Sequence, residues 1–437
     1  MSLRVLYITN EDRFVGGSSL SLETLLSCVG DAVEPVLLFR KAGPVRDRFA
    51  AQGYRCLVVP YYRASFQARG LARVLRWLPH ALSRAFVQAR CVRRVRRLAG
   101  DVDLVHTNSS TIDIGPRIAR ALGVPHVWHI REYPDIGLGL RMFPSMDAWR
   151  RKLLSSDAVV AITPSLLQHL GLAASSLRSE DVGSQYLQQA QAPASRSLQT
   201  AFLPTSSDTP ASGSEYRHAR PDRASASGSE PLSCCIPDAV LPASAVTLEL
   251  PKEPFVLFLA GTLALHKHPD EAIVIFALAS LPEPYKLVLV GELDEAYCRE
   301  LLDLARTLQV ENRIEFRPFT ADVRPLLSRA AAVLVCTAFE GMGRVAVEAL
   351  FYGCPVIARN SGGSRDVLAP SVISGEVEQS AYGTLYDSEE AAAEALASIV
   401  AAFPEAQVRA GAAYAARTFS TENYGARILA LYRSLLP

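Results

Sequence analysis

The sequence contains no run of about 18 apolar residues, and that absence excludes a membrane-spanning helix. It contains no CxxC pair either. Its eight cysteines are scattered, and several (Cys28, Cys336, Cys354) sit inside apolar segments where a reduced thiol packs as a small hydrophobe, so neither disulfides nor a zinc site is expected. The opening MSLRVLYITNEDR lacks the longer apolar core and small-residue cleavage site of a secretory signal and reads as a first strand, which points to the cytoplasm. Acidic residues are missing between Arg48 and Gly100, while Arg63, Arg69, Arg73, Arg76, Arg84, Arg90, Arg93, Arg94, Arg96 and Arg97 accumulate there. A net charge of only +1 hides this block, which calls for an anionic neighbour.

What the chain does have is length and rhythm. At 437 residues it exceeds the roughly 250–300 at which a single core stops growing, so two domains are expected. Apolar runs RVLYIT, EPVLLF, RCLVVP, VDLVHT, HVWHI and AVVAIT alternate with helical patterns, including one from about Ser18, a long basic one, and one near Ile114 to Leu122. Uninterrupted Val/Ile/Leu runs separated by helices predict buried parallel strands in crossover units. From Pro254 the rhythm restarts with FVLFLAG, YKLVLVG, RIEF, AVLVC and PVIA. The expected fold class is α/β, two doubly wound parallel-sheet, Rossmann-like domains facing a cleft, spanning residues 1–170 and 254–415. Residues 171–233, rich in Ser, Ala, Gln and Pro, cannot bury enough apolar surface to offset their ordering entropy and read as a disordered insertion. Residues 234–253 read as an interdomain linker and 416–437 as a terminal amphipathic helix.

Ligands of doubly wound sheets bind outside the carboxyl ends of the strands. There, AAVLVCTAF supplies a strand, GMG a turn and RVAVEALFYG a helix, so Glu340 falls at the strand edge and Glu348 about two turns inside the helix. At ~1.5 Å rise per residue the two carboxylates lie ~10 Å apart, with the free amides of a helix start between them. Such amides suit a diphosphate, and flanking carboxylates can accept hydrogen bonds from ribose and hexose hydroxyls. On the residues alone, Glu340 could equally be a first-turn carboxylate favoured by the helix dipole and Glu348 a solvated helix residue. In the first half, HVWHIREYPD ends a strand with His129, and NEDRFVGGSSL places Gly16 and Gly17 where backbone can approach a ligand. The basic block interleaves Arg with Leu, Trp, Phe and Val, an apolar stripe beside a cationic one of the kind that sits on anionic lipid headgroups. Pro79 is expected to kink or divide it. The alternative is a crossover helix packed inward with a solvated arginine face; nucleic acid would need base-reading elements that the sequence lacks.

The E-x7-E spacing resembles the hallmark of retaining glycosyltransferases of family 4, which share the GT-B fold. The likeness extends to GTLALHKHPDEAI with FLAG before it, NSGGSRDVL, GTLYD and the closing FSTENYGARILALYRSLL, covering most of the chain apart from 171–233. The resemblance implies that Glu348 holds the ribose and Glu340 the donor-sugar hydroxyls, with the amides of Gly341, Met342, Gly343 and Arg344 near sugar and phosphates and Lys267 on the diphosphate. His129 would face the acceptor side of the sugar, and Gly16 and Gly17 would lie near acceptor and phosphates. Where the family has an arginine in the donor loop this chain has Thr262, so either Arg344 or Arg365 supplies the missing cation or catalysis is weakened. His266 and His268 read as solvated, and Arg131 and Glu132 as paired with each other. No metal and no cofactor beyond the donor substrate are implied, and the terminal helix is expected to cross back to the first domain. The expected activity is transfer of a hexosyl unit from a nucleoside-diphosphate sugar to a saccharide or lipid-linked acceptor, on the cytoplasmic face of an anionic membrane held through Arg63 to Arg97. A catalytically silent scaffold subunit and a nucleotide-sugar epimerase or hydrolase are the alternatives.

Overall fold

In the computed structural model the described residues are 2–9, 17–65, 70–136, 139–172, 231–292, 294–369 and 381–436. Gly16 and almost all of the 171–233 segment lie outside them. Seven parallel strands form the first sheet: β1 (Leu3–Thr9), β2 (Val33–Phe39), β3 (Arg55–Val58), β4 (Leu104–Thr107), β5 (His126–Ile130), β6 (Ala158–Ala161) and β7 (Leu232–Cys235), in the order β3-β2-β1-β4-β5-β6-β7. Helices α1 (Gly17–Val29), α2 (Pro44–Ala51), α3 (Gly70–Leu98), α4 (Gly115–Leu122), α5 (Met146–Leu153) and α6 (Pro164–His169) connect them. The central strand shows why its sequence is an unbroken apolar run. Val5 and Tyr7 pack into one layer with Leu22 and Leu25 of α1, while Leu6 and Ile8 pack into the opposite layer with Cys91, Val95 and Ile118 of α3 and α4.

The second sheet has six parallel strands, β8 (Glu253–Thr262), β9 (Lys286–Glu292), β10 (Ile314–Arg317), β11 (Ala330–Val335), β12 (Val356–Arg359) and β13 (Thr384–Tyr386), ordered β10-β9-β8-β11-β12-β13. Its helices are α7 (Pro269–Leu278), α8 (Glu295–Thr307), α9 (Arg324–Leu327), α10 (Arg344–Phe351), α11 (Gly362–Leu368), α12 (Glu389–Ala401), α13 (Glu405–Thr418) and α14 (Thr421–Ser434). Strand order reverses between β1 and β4 in one sheet and between β8 and β11 in the other, and crevices open at such switch points. The loops after β4 and β11 therefore meet at the cleft.

Three features differ from the sequence reading. The edge strand β7 takes Leu232 and Ser233 from the segment read as insertion and Cys234 and Cys235 from the one read as linker, pairing them with Ala158–Ala161. Four apolar and small residues after a long Ser-, Ala-, Gln- and Pro-rich segment leave too short a pattern to register as a strand. Second, α3 runs unbroken through Pro79, which is exposed, so water can take the carbonyl that proline leaves unbonded. Third, one arginine of the basic block is not solvated: Arg84 turns inward, buried, onto Asp113, which Lys152 of α5 also contacts. The opposite face of α3 carries Leu78, Leu82 and Phe86 at four-residue spacing, about 60% exposed each, followed by exposed Arg93, Arg96 and Arg97.

Helix α14 lies on α1 of the first domain, burying Tyr424, Ile428, Leu431 and Tyr432 with Leu22, Leu25 and Val29. Tyr432 donates to the Tyr7 hydroxyl (3.1 Å) and meets His106 Nδ1 (2.8 Å), which fixes the helix register. Close approach depends on Gly425, because a Cβ there would strike the carbonyl of Cys28. Gly425→Ala should therefore cost about 1–3 kcal/mol through overpacking, read as a lower thermal midpoint; an unchanged midpoint would show that the helix is not tightly seated.

Candidate active site

The second domain's wall is built from two glycine turns. After β11 the chain passes Thr337–Met342 and turns at Gly343 (φ 78°) into α10, whose first amides no side chain caps. After β12 it turns at Gly362 (φ 51°) into α11. The turns stack backbone on backbone: the Gly363 amide donates to the Glu340 carbonyl (2.9 Å), and a Cβ on Gly363 would strike Met342. This contact fixes where Glu340 leaves the main chain. Facing it, a single turn of 3-10 helix, Leu265–Lys267, delivers Lys267, whose Nζ lies 2.5 Å from Glu340 Oε1. One helical turn in, Arg344 Nε donates to Glu348 Oε1 at 2.9 Å. Burial pushes the Glu348 carboxyl up while the Arg344 guanidinium pulls it back.

The opposite wall comes from the first domain. Arg131, just beyond β5, pairs with Asp238, just beyond β7, and its Nε donates to Asn108 Oδ1 (3.1 Å). Tyr424 of α14 reaches the same spot, accepting from Arg131 (3.3 Å) and donating to Asp238 Oδ1 (3.1 Å). Glu132 does not pair with Arg131. Its Oε1 accepts from Ser109 Oγ (2.6 Å), Ser110 Oγ (2.7 Å) and the Ser110 amide (2.9 Å), tying down the loop after β4. Between the walls lies a cavity of about 820 Å³, lined by Arg63, Arg131, Glu132 and Asp238 on one side and by His266–His268 and Thr337–Arg344 on the other.

Direct bonds close one end of the cleft. Thr163 Oγ1 donates to the Gly341 carbonyl (2.9 Å), and the Ser165 amide and hydroxyl donate to Asp366 of α11 at 2.8 and 2.5 Å. Burial pushes the Asp366 carboxyl up against the pull of those bonds. A Cβ on Gly341 would strike the Arg131 carbonyl, so the donor-side loop rests against the strand end that holds the Arg131 pair.

Two family models match this chain, Glycosyl transferase 4-like domain over residues 16–178 and Glycosyl transferases group 1 over residues 243–414. Each half of the chain thus matches a glycosyl transferase domain family, and the two-domain architecture is the GT-B fold. Among curated proteins, the D-inositol 3-phosphate glycosyltransferase of Xylanimonas cellulosilytica is 33% identical over 193 residues, 42% of this chain and 43% of that protein's length. Among solved structures, Anabaena HepE in complex with UDP superposes with a TM-score of 0.66 at 17% identity over 100% of both chains. A glycosyltransferase from Rickettsia africae gives 0.63 at 13% identity, covering 99% of this chain and 98% of that one. At such identities the likeness establishes fold alone.

The fold brings Glu340, Lys267, Gly341, Met342, Gly343 and Arg344 to one cleft wall, and His266 and His268 join them. Glu348 sits behind Arg344 and does not line the cavity. Thr262 is exposed, 3.4 Å from Glu292, also away from the lining, so Arg344 brings the second cation to this wall. Gly17 opens α1. His129 is fully buried beneath the floor, 3.3 Å from Arg131 Nη2, with its Nε2 3.8 Å from Asp238; the groups that reach the cavity there are Arg131 and Asp238. Asp238 escaped sequence reasoning because it stands in no motif, and the Ser165–Asp366 bond because Asp366, although inside NSGGSRDVL, meets a residue 201 positions away. The available signal was a lone carboxylate in IPDAVLP directly after an apolar run.

His106, His126 and His129 are all fully enclosed, and burial pushes each imidazole down, His126 to about 3. Unfolded, each titrates near ~6.5. Below that pH the unfolded chain binds protons that the folded chain refuses, so stability is complete above pH ~6.5 and falls on acidification by up to ~4 kcal/mol per pH unit. The urea midpoint should therefore drop markedly between pH 7.5 and pH 5.5, and a midpoint indifferent to pH in that window would contradict the neutral, buried assignment.

Proposed function

We propose that this glycosyltransferase moves a hexosyl unit, with retention of configuration, from a nucleoside-diphosphate sugar to a saccharide or lipid-linked acceptor. The observation that carries the reading is the Lys267–Glu340 pair poised beside the uncapped start of α10. Those amides offer partial positive charge and unbonded donors to a diphosphate. Lys267 adds a full charge where negative charge grows as the nucleotide departs, commonly the largest catalytic term. Glu340 accepts from donor-sugar hydroxyls, and Glu348, behind the cavity lining, holds Arg344 in place through Oε1. The donor is the only small molecule this scheme requires, and the UDP bound by Anabaena HepE makes UDP the first probe.

Among the described residues no helix is long and apolar enough to cross a membrane. The outer face of α3 supports contact with an anionic bilayer from the cytoplasmic side: Leu78, Leu82 and Phe86 form an exposed apolar row, continued by Arg93, Arg96 and Arg97. Leu82→Glu with Phe86→Glu should abolish co-flotation with vesicles containing phosphatidylglycerol while leaving the thermal midpoint in place; undiminished flotation would reject the surface.

For the donor site, UDP and UDP-sugars should raise the thermal midpoint and free sugars should not. Lys267→Ala should lower turnover roughly 100- to 1,000-fold, and Glu340→Ala should abolish it. UDP binding without transfer to any acceptor would favour a silent scaffold, and rearrangement or hydrolysis of the donor as sole product would favour an epimerase or hydrolase. A midpoint unmoved by every nucleotide would sink the assignment.

A further inference from the structure

The acceptor side of the cleft offers two carboxylates, Glu132 and Asp238. Glu132 is committed to three donors of the loop after β4. Asp238 is held differently. Arg131 and the Tyr424 hydroxyl both bond to Oδ1, and His129 Nε2 lies 3.8 Å from it without a hydrogen bond. No described residue bonds to Oδ2. The carboxylate is 6% exposed, yet it lines the cavity, so the little surface it shows belongs to the cleft. Two segments far apart in sequence, the end of β5 and helix α14, converge on one oxygen of the carboxylate carried beyond β7 and thereby aim the other. Gly341 abuts the Arg131 carbonyl, which puts this group beside the loop that carries Glu340.

From this geometry we infer that Asp238 binds a hydroxyl group of the acceptor through Oδ2 and so selects a hydroxyl-bearing ring, a sugar or cyclitol, at the cleft floor. The inference rests on the donor reading above. An ionised carboxylate accepts hydrogen bonds and repels a phosphate, so a neutral polyol ring fits the spot and an anionic group does not. Rigid support of the binding atom is what positioning a second substrate requires. Arg131 supplies that support together with charge balance, and Tyr424 carries it to the returning helix.

The test uses the full chain with UDP-glucose as donor and a panel of neutral hexosides as acceptors, following UDP release with and without hexoside. Asp238→Asn should raise the KM for hexoside roughly 10- to 100-fold while leaving the UDP thermal shift intact. A structural role would diminish the UDP thermal shift along with acceptor use, and that result overturns the inference. So does a wild-type protein that binds UDP but releases none faster with any hexoside. Should Asp238→Asn not fold, Tyr424→Phe keeps the ring and removes one bond to Oδ1. It should raise the hexoside KM severalfold with the UDP shift unchanged, and an unaltered KM overturns the inference. Absence of any UDP shift in the wild type would overturn the donor reading and this inference with it.

Discussion

The absence of side chains at two backbone crossings, one between the domains and one within the second, is the constraint on which the cleft depends. Gly341 rests on the Arg131 carbonyl, and Gly363 rests on Met342 and the Glu340 carbonyl. Each contact is backbone against backbone, so any Cβ would push a whole segment rather than a flexible side chain. Because loops after β11 and β12 are locked together first, Glu340 and the start of α10 are placed by main-chain geometry. Lys267 then needs only to reach across. The bonds from Thr163 and Ser165 to Gly341 and Asp366 add an orientation to what the glycines make possible.

The same logic runs through α14. A helix near the end of the chain contributes Tyr432 to a hydroxyl cluster with Tyr7 and His106 deep in the first domain, and Tyr424 to the ion pair at the cleft floor. Chain order sets it last, yet it completes a site whose other parts come from β5 and β7. Seating it elsewhere would strand Arg131 and Asp238 with less support in a buried setting, where an incompletely bonded charge is expensive.

How much of this was legible beforehand depends on range. Parallel strands buried on both faces leave uninterrupted apolar runs, so both sheets could be read from RVLYIT, AVLVC and their companions. The donor wall was legible as well, because strand, turn and helix follow one another within FEGMGRVAVEAL and local physics fixes their arrangement. The acceptor wall was not. Arg131 and Asp238 are separated by 107 positions, Arg131 and Tyr424 by 293, and no local pattern encodes such a meeting. His129 illustrates the same limit from the other side. The strand end on which it stands was visible, but His129 lies inside β5 and Arg131 one residue beyond it on the same face, so which of the two reaches the cavity depends on where β5 ends relative to its neighbours. Pro79 shows that a local rule can also fail, since a helix tolerates proline where water can reach the freed carbonyl.

The two ion pairs of the cleft differ in burial, and the difference suits their places. Lys267 and Glu340 retain 29% and 16% exposure. A pair that wet contributes about 0–1 kcal/mol, so an arriving diphosphate can draw the lysine away, and a sugar hydroxyl can take the carboxylate, at small expense. Arg131 and Asp238 retain 5% and 6%. Breaking a pair so enclosed costs about 3–5 kcal/mol, more than one ligand hydrogen bond returns, so it stays closed through a binding event. One wall can therefore exchange partners while the other holds its shape. In a two-substrate reaction the exchangeable wall suits the group that changes charge, and the fixed wall suits the group that must only be held in line.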